Sequence, residues 1–354
     1  MKIIFLGDSI ATQKTGIHYY GVQLVHLITK QHPEHQYAIV LPAQDPQFNF
    51  QQIIVPVRKG SQWHLRLRQL WTIPKMVQRE NPDMVIELAH FGPFGLSNRI
   101  KRVTVIHDLT PILFPKFHGP LSVWVHRLLL PFILKKAHHL LVNSNYTKRD
   151  LANLYQVPAD KMTVVYPQIV LPKTGATIVN PISLPKPYFL TVGTIEPRKN
   201  HLTILKAFEL FCETNAEYNL VIAGKKGWMS KPFFQAYEKS KVKDRILLTG
   251  YISRTTLWQY YRHAHAFVFA SYYEGFGLPV LEAMSFGLPL IVVDNPSVIE
   301  IAKSYALFFD AENVDLLSAH LMKSTNEDLR DALQKKSKAR YQLLCRSKKE
   351  LDFL

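Results

Sequence analysis

Cysteine is scarce. Cys212 and Cys345 are the only two in 354 residues, and they lie 133 positions apart. That excludes a Cys-rich zinc site and a disulfide scaffold, and it fits a reducing compartment. Long apolar runs are also missing. None reaches the roughly 18–20 residues that a membrane-spanning helix needs. The opening "MKIIFLGDSI" has a short apolar stretch followed at once by Asp8, which is not the pattern of a cleaved signal peptide. Residues 2–6 read instead as a buried first strand, and a cytoplasmic protein is expected. No G-x-G-x-x-G follows that strand and no G-x-x-x-x-G-K-[ST] occurs anywhere, which argues against a nicotinamide Rossmann site and a P-loop ATPase. Acidic residues are few: 27 Asp+Glu against 43 Lys+Arg, a formal net charge of +16. The excess is +11 over residues 1–184 and +5 over residues 185–354. Such a field attracts nucleic acid, anionic lipid headgroups or phosphorylated small molecules. No DNA- or RNA-binding motif accompanies the charge, so no nucleic-acid partner is expected.

The remaining composition, 47% hydrophobic and 20% charged, is that of an ordinary globular protein, and the length suggests about two domains. Apolar runs without alternation suit strands covered on both faces. They occur at 2–6, 37–41, 83–88, 103–106 and 139–142, and again at 188–193, 219–224, 266–270 and 289–293. Stretches long enough for crossover helices lie between them, for example 17–30, 61–80, 199–214 and 326–345. This alternation predicts an α/β chain of two doubly wound, Rossmann-like domains with parallel sheets, facing each other across a cleft to which both contribute loops. The segment "LPKTGATIVNPISLPKP" (171–187) breaks the alternation with four prolines and a glycine. The division is then 1–172 for the first domain, 173–187 for a linker, 188–335 for the second domain, and 336–354 for a basic C-terminal helix placed to pack back on the first.

The segment "SYYEGFGLPVLEAMSFGLPLIVV" (271–293) is the most informative. Gly275 and Gly277 follow a strand and precede Leu278-Pro279, where a helix can begin with proline in its first turn. A glycine-rich turn into a helix start offers backbone N–H groups and the positive end of the helix dipole to a phosphate. On that helix Val280, Ala283, Met284 and Gly287 share a stripe. Glu282 falls about 150° away from it, at about 100° per residue, and is expected to face the cleft. Glu274 sits at the strand's carboxyl end. In "VGTIEPRKNH" (192–201), Arg198 and Lys199 stand before a second helix and suit a diphosphate, whose charge they neutralise as it leaves. A solvated basic pair is the alternative. In "VTVIHDLTPILFP" (103–115), His107 and Asp108 again follow a strand; Asp108 is also able to cap the loop.

With these residues in place, "EGFGLPVLE" resembles the Glu-x7-Glu motif of retaining GT-B glycosyltransferases of glycosyltransferase family four, and the resemblance runs over nearly the whole chain. It implies that Glu274 and His107 act at the donor sugar, beside the reaction centre. It implies that Glu282 holds the nucleotide ribose, and that the backbone of Gly275, Phe276, Gly277 and Leu278 meets sugar and diphosphate. Lys199 matches the family's diphosphate-binding lysine. Many members carry an Arg where this chain has Thr194, which gives Arg198 more of the phosphate. "KTGIHYYGVQLV" (14–25) is similar to the family's Gly-Gly-Ile-Gly loop at Gly16 and Ile17, with Gly16 near the phosphates, while Lys14, Thr15 and His18 replace small residues. Tyr19 and Tyr20 are read as packing residues, and "VNSNYTKRDL" (142–151) as a structural helix start. No Asp-x-Asp metal motif is present, so metal independence is expected and no cofactor beyond the donor substrate.

The resemblance is strongest to mannosyltransferases of polysaccharide and O-antigen assembly, through "VGTIEPRKN" and "HDLTPILFP". It implies transfer of a hexose, mannose from GDP-mannose, to a glycan or lipid-linked acceptor, with UDP- and dTDP-sugars left open. The alternatives are a GT-B relative acting as an epimerase or phosphorylase, or a non-catalytic protein that binds membranes or polyanions. The segment "FHGPLSVWVHRLLLPFILKKAHHLL" (117–141) mixes bulky apolar and basic residues, which suits either a peripheral contact with an anionic inner-membrane face or an ordinary buried helix with a solvated end.

Overall fold

A computed structural model describes residues 1–12, 16–57, 68–91, 94–169, 187–346 and 351. The chain divides into two compact units, Met1–Gln168 with Lys349–Leu354, and Ile169–Lys348. The linker expected at 173–187 lies outside the described residues except for Pro187, and so do Lys14 and Thr15.

The first unit is built on a seven-stranded, wholly parallel sheet in the order β3-β2-β1-β4-β5-β6-β7. Its strands are β1 (Lys2–Leu6), β2 (Gln36–Leu41), β3 (Gln51–Ile54), β4 (Met84–Glu87), β5 (Lys101–Ile106), β6 (His139–Val142) and β7 (Met162–Val164). Period-2 geometry explains why β1 is apolar at every position after Lys2. Ile3 and Phe5 join the core formed with Leu24, Val25 and Ile28 of the helix Gly16–Gln31. Ile4 and Leu6 point the other way, into the core with Ile73 and Val77 of the helix Ile73–Arg79. Leu351, near the end of the chain, is buried in the first of these cores. Two buried charge pairs stand among the described residues of this unit. Glu87 accepts from Arg102 and from the Thr104 hydroxyl at 3.0 Å, and Arg68, almost fully buried, donates to both carboxylate oxygens of Asp8 at 2.6 and 2.8 Å. Removing one partner from such a pair strands the other.

The second unit carries a six-stranded parallel sheet in the order β10-β9-β8-β11-β12-β13. The strands are β8 (Tyr188–Val192), β9 (Asn219–Ala223), β10 (Ile246–Leu248), β11 (Ala266–Phe269), β12 (Leu290–Val293) and β13 (Leu307–Phe309). Chain order runs outward from β8 in one direction and then, from β11, in the other. The switch point therefore lies between β8 and β11, where ligands bind in sheets of this kind. The helix Glu327–Arg346 is continuous across the division expected at 335/336. Arg340, buried on it, donates to the Ile301 and Glu300 carbonyls at 2.7 and 2.9 Å, closing the C-terminal end of the helix Pro296–Ala302. No helix among the described residues is long and apolar enough to cross a membrane.

Candidate active site

The loops after β8 and β11 meet because the two strands are neighbours. After β8 the chain makes a single tight turn, Pro197–Lys199, and Asn200 takes a left-handed φ of 53° before the helix His201–Phe211 begins. Asn200 holds that conformation by donating to the Ala311 carbonyl at 2.6 Å and accepting from the Thr203 hydroxyl at 2.9 Å. The Arg198 carbonyl accepts the Tyr272 N–H at 2.9 Å, which ties this turn to the loop after β11.

Arg198, Lys199 and Glu274 are brought together there. Lys199 Nζ lies 2.5 Å from Glu274 Oε1, and Arg198 Nη1 lies 3.0 Å from Glu274 Oε2. Ser271 donates to Glu274 Oε1 at 2.6 Å. Arg198 is fixed on its other edge by Glu196, whose Oε1 accepts from Nη2 at 2.8 Å and Nε at 3.1 Å, and its Nη1 also donates to the Tyr273 carbonyl at 2.9 Å. Lys199 Nζ lies 5.5 Å from the Phe269 ring centroid, with its stem against Gly193. Burial pushes the Glu274 carboxyl up, but the two cations outweigh it and hold it below the usual range. Burial lowers the Lys199 ammonium despite Glu274, and it raises Glu196 despite Arg198. Two carboxylates, Glu196 and Glu274, thus neutralise the two cations.

The helix Leu278–Ser285 starts where the sequence places it. Gly277 is the residue before it, at φ +95°, and Pro279 sits in the first turn. A methyl on Gly277 would be strained by that φ and would also meet Ile301 at 3.3 Å. Phe276 is buried. Glu282 departs from expectation. It does not stand free on the face opposite the stripe but is buried, with Tyr261 donating to Oε2 at 2.9 Å and Arg254 Nη2 3.3 Å from Oε1. The helix Arg254–His263 covers the face that a helical wheel leaves open, and Arg254 lies over Trp258, 4.4 Å from the ring centroid. Burial raises the Glu282 carboxyl, and Arg254 and Tyr261 pull it back.

In the first unit His107 does follow β5, but it is buried and its ring is engaged. Nε2 donates to the Leu88 carbonyl at 2.8 Å, and the ring stacks on His90 at 5.5 Å between centroids. The His107 backbone N–H donates to His90 Nε2 at 2.6 Å, so His90 accepts there and carries its proton on Nδ1. Burial lowers both imidazoles. Asp108 Oδ1 accepts the Thr110 N–H at 3.0 Å, holding the turn that leads into the short helix Thr110–Leu113. Gly16 is the first residue of the helix Gly16–Gln31. Tyr20 is buried with its hydroxyl on the Val165 carbonyl at 2.7 Å, a packing residue as expected; Tyr19 is half-buried against His18. The helix Asn145–Tyr155 begins at Asn145, and Ser144 caps it by accepting the Thr147 N–H at 2.9 Å.

Glu196, Ser271, Arg254, Tyr261 and His90 carry no motif of their own. The only signal for Glu196 was its place two residues before Arg198. Among the described residues, one group has the make-up of a metal site: His32, Glu34 and His35, whose ligand atoms lie within 4.8 Å of one another. It sits at the amino end of β2, away from the strand carboxyl ends where the other residues gather.

The profile described as "Glycosyl transferases group 1" matches residues 177–340, and that of "Glycosyltransferase Family 4" matches residues 21–171. The chain is 31% identical over 271 residues to O-antigen chain mannosyltransferase B of Escherichia coli, which covers 74% of this chain and 69% of that protein. The chain belongs to glycosyltransferase family 4. A second relative, O-antigen chain mannosyltransferase RfbU of Salmonella typhimurium, is 28% identical over 67% of this chain and 64% of its own length. Among solved structures, WaaG, a glycosyltransferase involved in lipopolysaccharide biosynthesis, superposes with a TM-score of 0.73 at 16% identity, over 97% of this chain and 95% of that one. The two Rossmann-like units of this family 4 enzyme thus form a GT-B fold, and the protein is a glycosyltransferase.

Proposed function

We propose that this glycosyltransferase moves mannose from GDP-mannose to a glycan or lipid-linked acceptor in polysaccharide or O-antigen assembly, with retention of configuration and without a metal. The observation that carries this is the Lys199–Glu274–Arg198 cluster at the switch point of the second unit. When a donor binds, its diphosphate takes the two cations and Glu274 is released toward the sugar hydroxyls. Glu282 accepts from the ribose diol, since a carboxylate already bonded by Tyr261 and Arg254 still has lone pairs to offer. As the bond from sugar C1 to the phosphate oxygen breaks, its electron pair leaves on the diphosphate, where Arg198 and Lys199 stabilise it. The acceptor oxygen bonds to C1 from the same face, through an oxocarbenium-like transition state, and its proton passes to the departing phosphate oxygen. The mannosyl and O-antigen assignment follows the names of the two relatives.

The test is a thermal-shift panel of nucleoside diphosphates and nucleotide sugars. GDP and GDP-mannose at about 100 times Kd should add about 2.7 kcal/mol, a shift of roughly 5–10 °C. Greater stabilisation by UDP or dTDP compounds would reassign the donor, and donor consumption without any acceptor would favour an epimerase or phosphorylase. A pH series tests Glu282. Its raised carboxyl protonates sooner than an exposed one as pH falls, and the protonated form loses acceptor capacity for the ribose. In Tyr261→Phe one of the two groups that pull it down is gone. The acid limb of GDP affinity should therefore move toward neutral pH; an unmoved limb removes Glu282 from the nucleotide site.

A further inference from the structure

The helix Pro120–Lys136 gives only part of its apolar surface to the core. Val123, Leu130, Ile133 and Leu134 are buried, whereas Leu121, Trp124, Leu128 and Phe132 are 62%, 61%, 56% and 48% exposed. Spaced by three and four residues, these four fall within about 80° of arc at about 100° per residue. Single exposed hydrophobics are ordinary, but four large ones in one row on a helix form a patch that asks for a partner. Along the chain on either side of the patch the charge has one sign. No Asp or Glu occurs between Asp108 and Asp150, while that stretch holds Lys116, Arg127, Lys135, Lys136, Lys148 and Arg149. Arg127, Lys135 and Lys136 are exposed on the helix itself, with Lys136 Nζ 5.9 Å from the Phe132 ring centroid.

We propose that this face docks on an anionic phospholipid bilayer. The Leu121–Trp124–Leu128–Phe132 stripe enters the boundary between headgroups and acyl chains, and Arg127, Lys135 and Lys136 lie on the lipid phosphates. A bilayer matches both features at once. It supplies an apolar layer just beneath a sheet of negative charge, and a helix with basic flanks and a Trp in its apolar row fits that boundary lengthwise. The helix lies on the membrane and does not cross it. This inference is independent of the donor assignment, since none of its residues belongs to the nucleotide site.

The experiment is flotation of the full chain with vesicles of phosphatidylglycerol and phosphatidylcholine in equal parts, against phosphatidylcholine alone. The protein should float with the first and be at least tenfold depleted from the second. In about 1 M NaCl, where screening acts within about 3 Å, binding should fall. Trp124→Ser with Phe132→Ser should cut the bound fraction at least fivefold while the melting temperature holds, because both side chains are exposed. Lys135→Gln with Lys136→Gln should weaken partition by about 25-fold. The proposal is overturned if the wild type stays at the bottom with both vesicles, or if the serine variant floats like the wild type. It is equally overturned if gel filtration shows a dimer that the serine variant converts to monomers, which would make a second copy the occupant.

Discussion

Lys199→Ala should lower kcat/KM for glycosyl transfer by about 100- to 1,000-fold, the usual loss when one preorganised stabiliser of a developing anion is removed. The ammonium is buried, held 2.5 Å from Glu274, and set against the Phe269 ring. It is therefore a fixed charge in a site with little water, where a cation is worth more than at the surface. Lys199→Arg should recover little, because a planar guanidinium cannot occupy the place of a compact ammonium between Glu274 and Phe269. The stability consequence has a defined sign. Glu274 has a depressed carboxyl in the folded protein, so it contributes stability that is present above its unfolded pKa, about 4.3, and lost as pH falls through the folded value. Without Lys199 one of the two depressing charges is gone, and acid unfolding should begin at higher pH than in the wild type. Measuring turnover and the acid melting profile of the same variant separates the two effects. Wild-type turnover in both Lys199→Ala and Glu274→Ala would mean that the cluster is a structural ion pair.

Which parts of this were legible in the sequence follows from how local their causes are. The central strands stood out because both of their faces are buried, which forces an unbroken apolar run, as in "KIIFL" and "AFVF". The edge strands β3, β7, β10 and β13 are three or four residues long and partly exposed, and "QQII" or "MTV" has no pattern to read. The turn into the helix Leu278–Ser285 was legible because Gly277 needs a left-handed φ and Pro279 needs a first-turn position, both set by the residue itself. The environment of Glu282 was not, because Tyr261 and Arg254 reach it from a helix more than 20 residues earlier in the chain. The same holds for His107. Its place at a strand end is local, but its bonds to Leu88 and His90 come from the neighbouring strand's loop.

The close approach of Gly193 and Gly224 is a further long-range feature, and it positions the cation pair. Gly193 follows β8 and Gly224 follows β9, and the two loops are joined along their backbones. Gly193 N–H donates to the Ala223 carbonyl at 3.0 Å, Ile195 N–H to Lys225 at 2.9 Å, and Gly227 N–H to Ile195 at 3.0 Å. A methyl on Gly224 would stand 1.9 Å from the Gly193 carbonyl oxygen and 2.5 Å from its carbon. No rotamer relieves a clash with backbone, so the whole strand-end loop leading to Arg198 and Lys199 must move. Gly224→Ala should therefore destabilise by about 3 kcal/mol, at the upper end of overpacking, and lower Tm by roughly 6–12 °C. It should also lose about 100-fold in turnover at temperatures where it is still folded, because displacing a fixed catalytic charge by about 1 Å carries that effect. Gly250→Ala is the control. Gly250 also has a positive φ, +66°, but nothing lies within 4 Å of the added methyl, so only backbone strain of about 1 kcal/mol is expected and no loss of turnover. If the two alanine variants melt together and turn over alike, the Gly193–Gly224 contact does not set the position of Lys199.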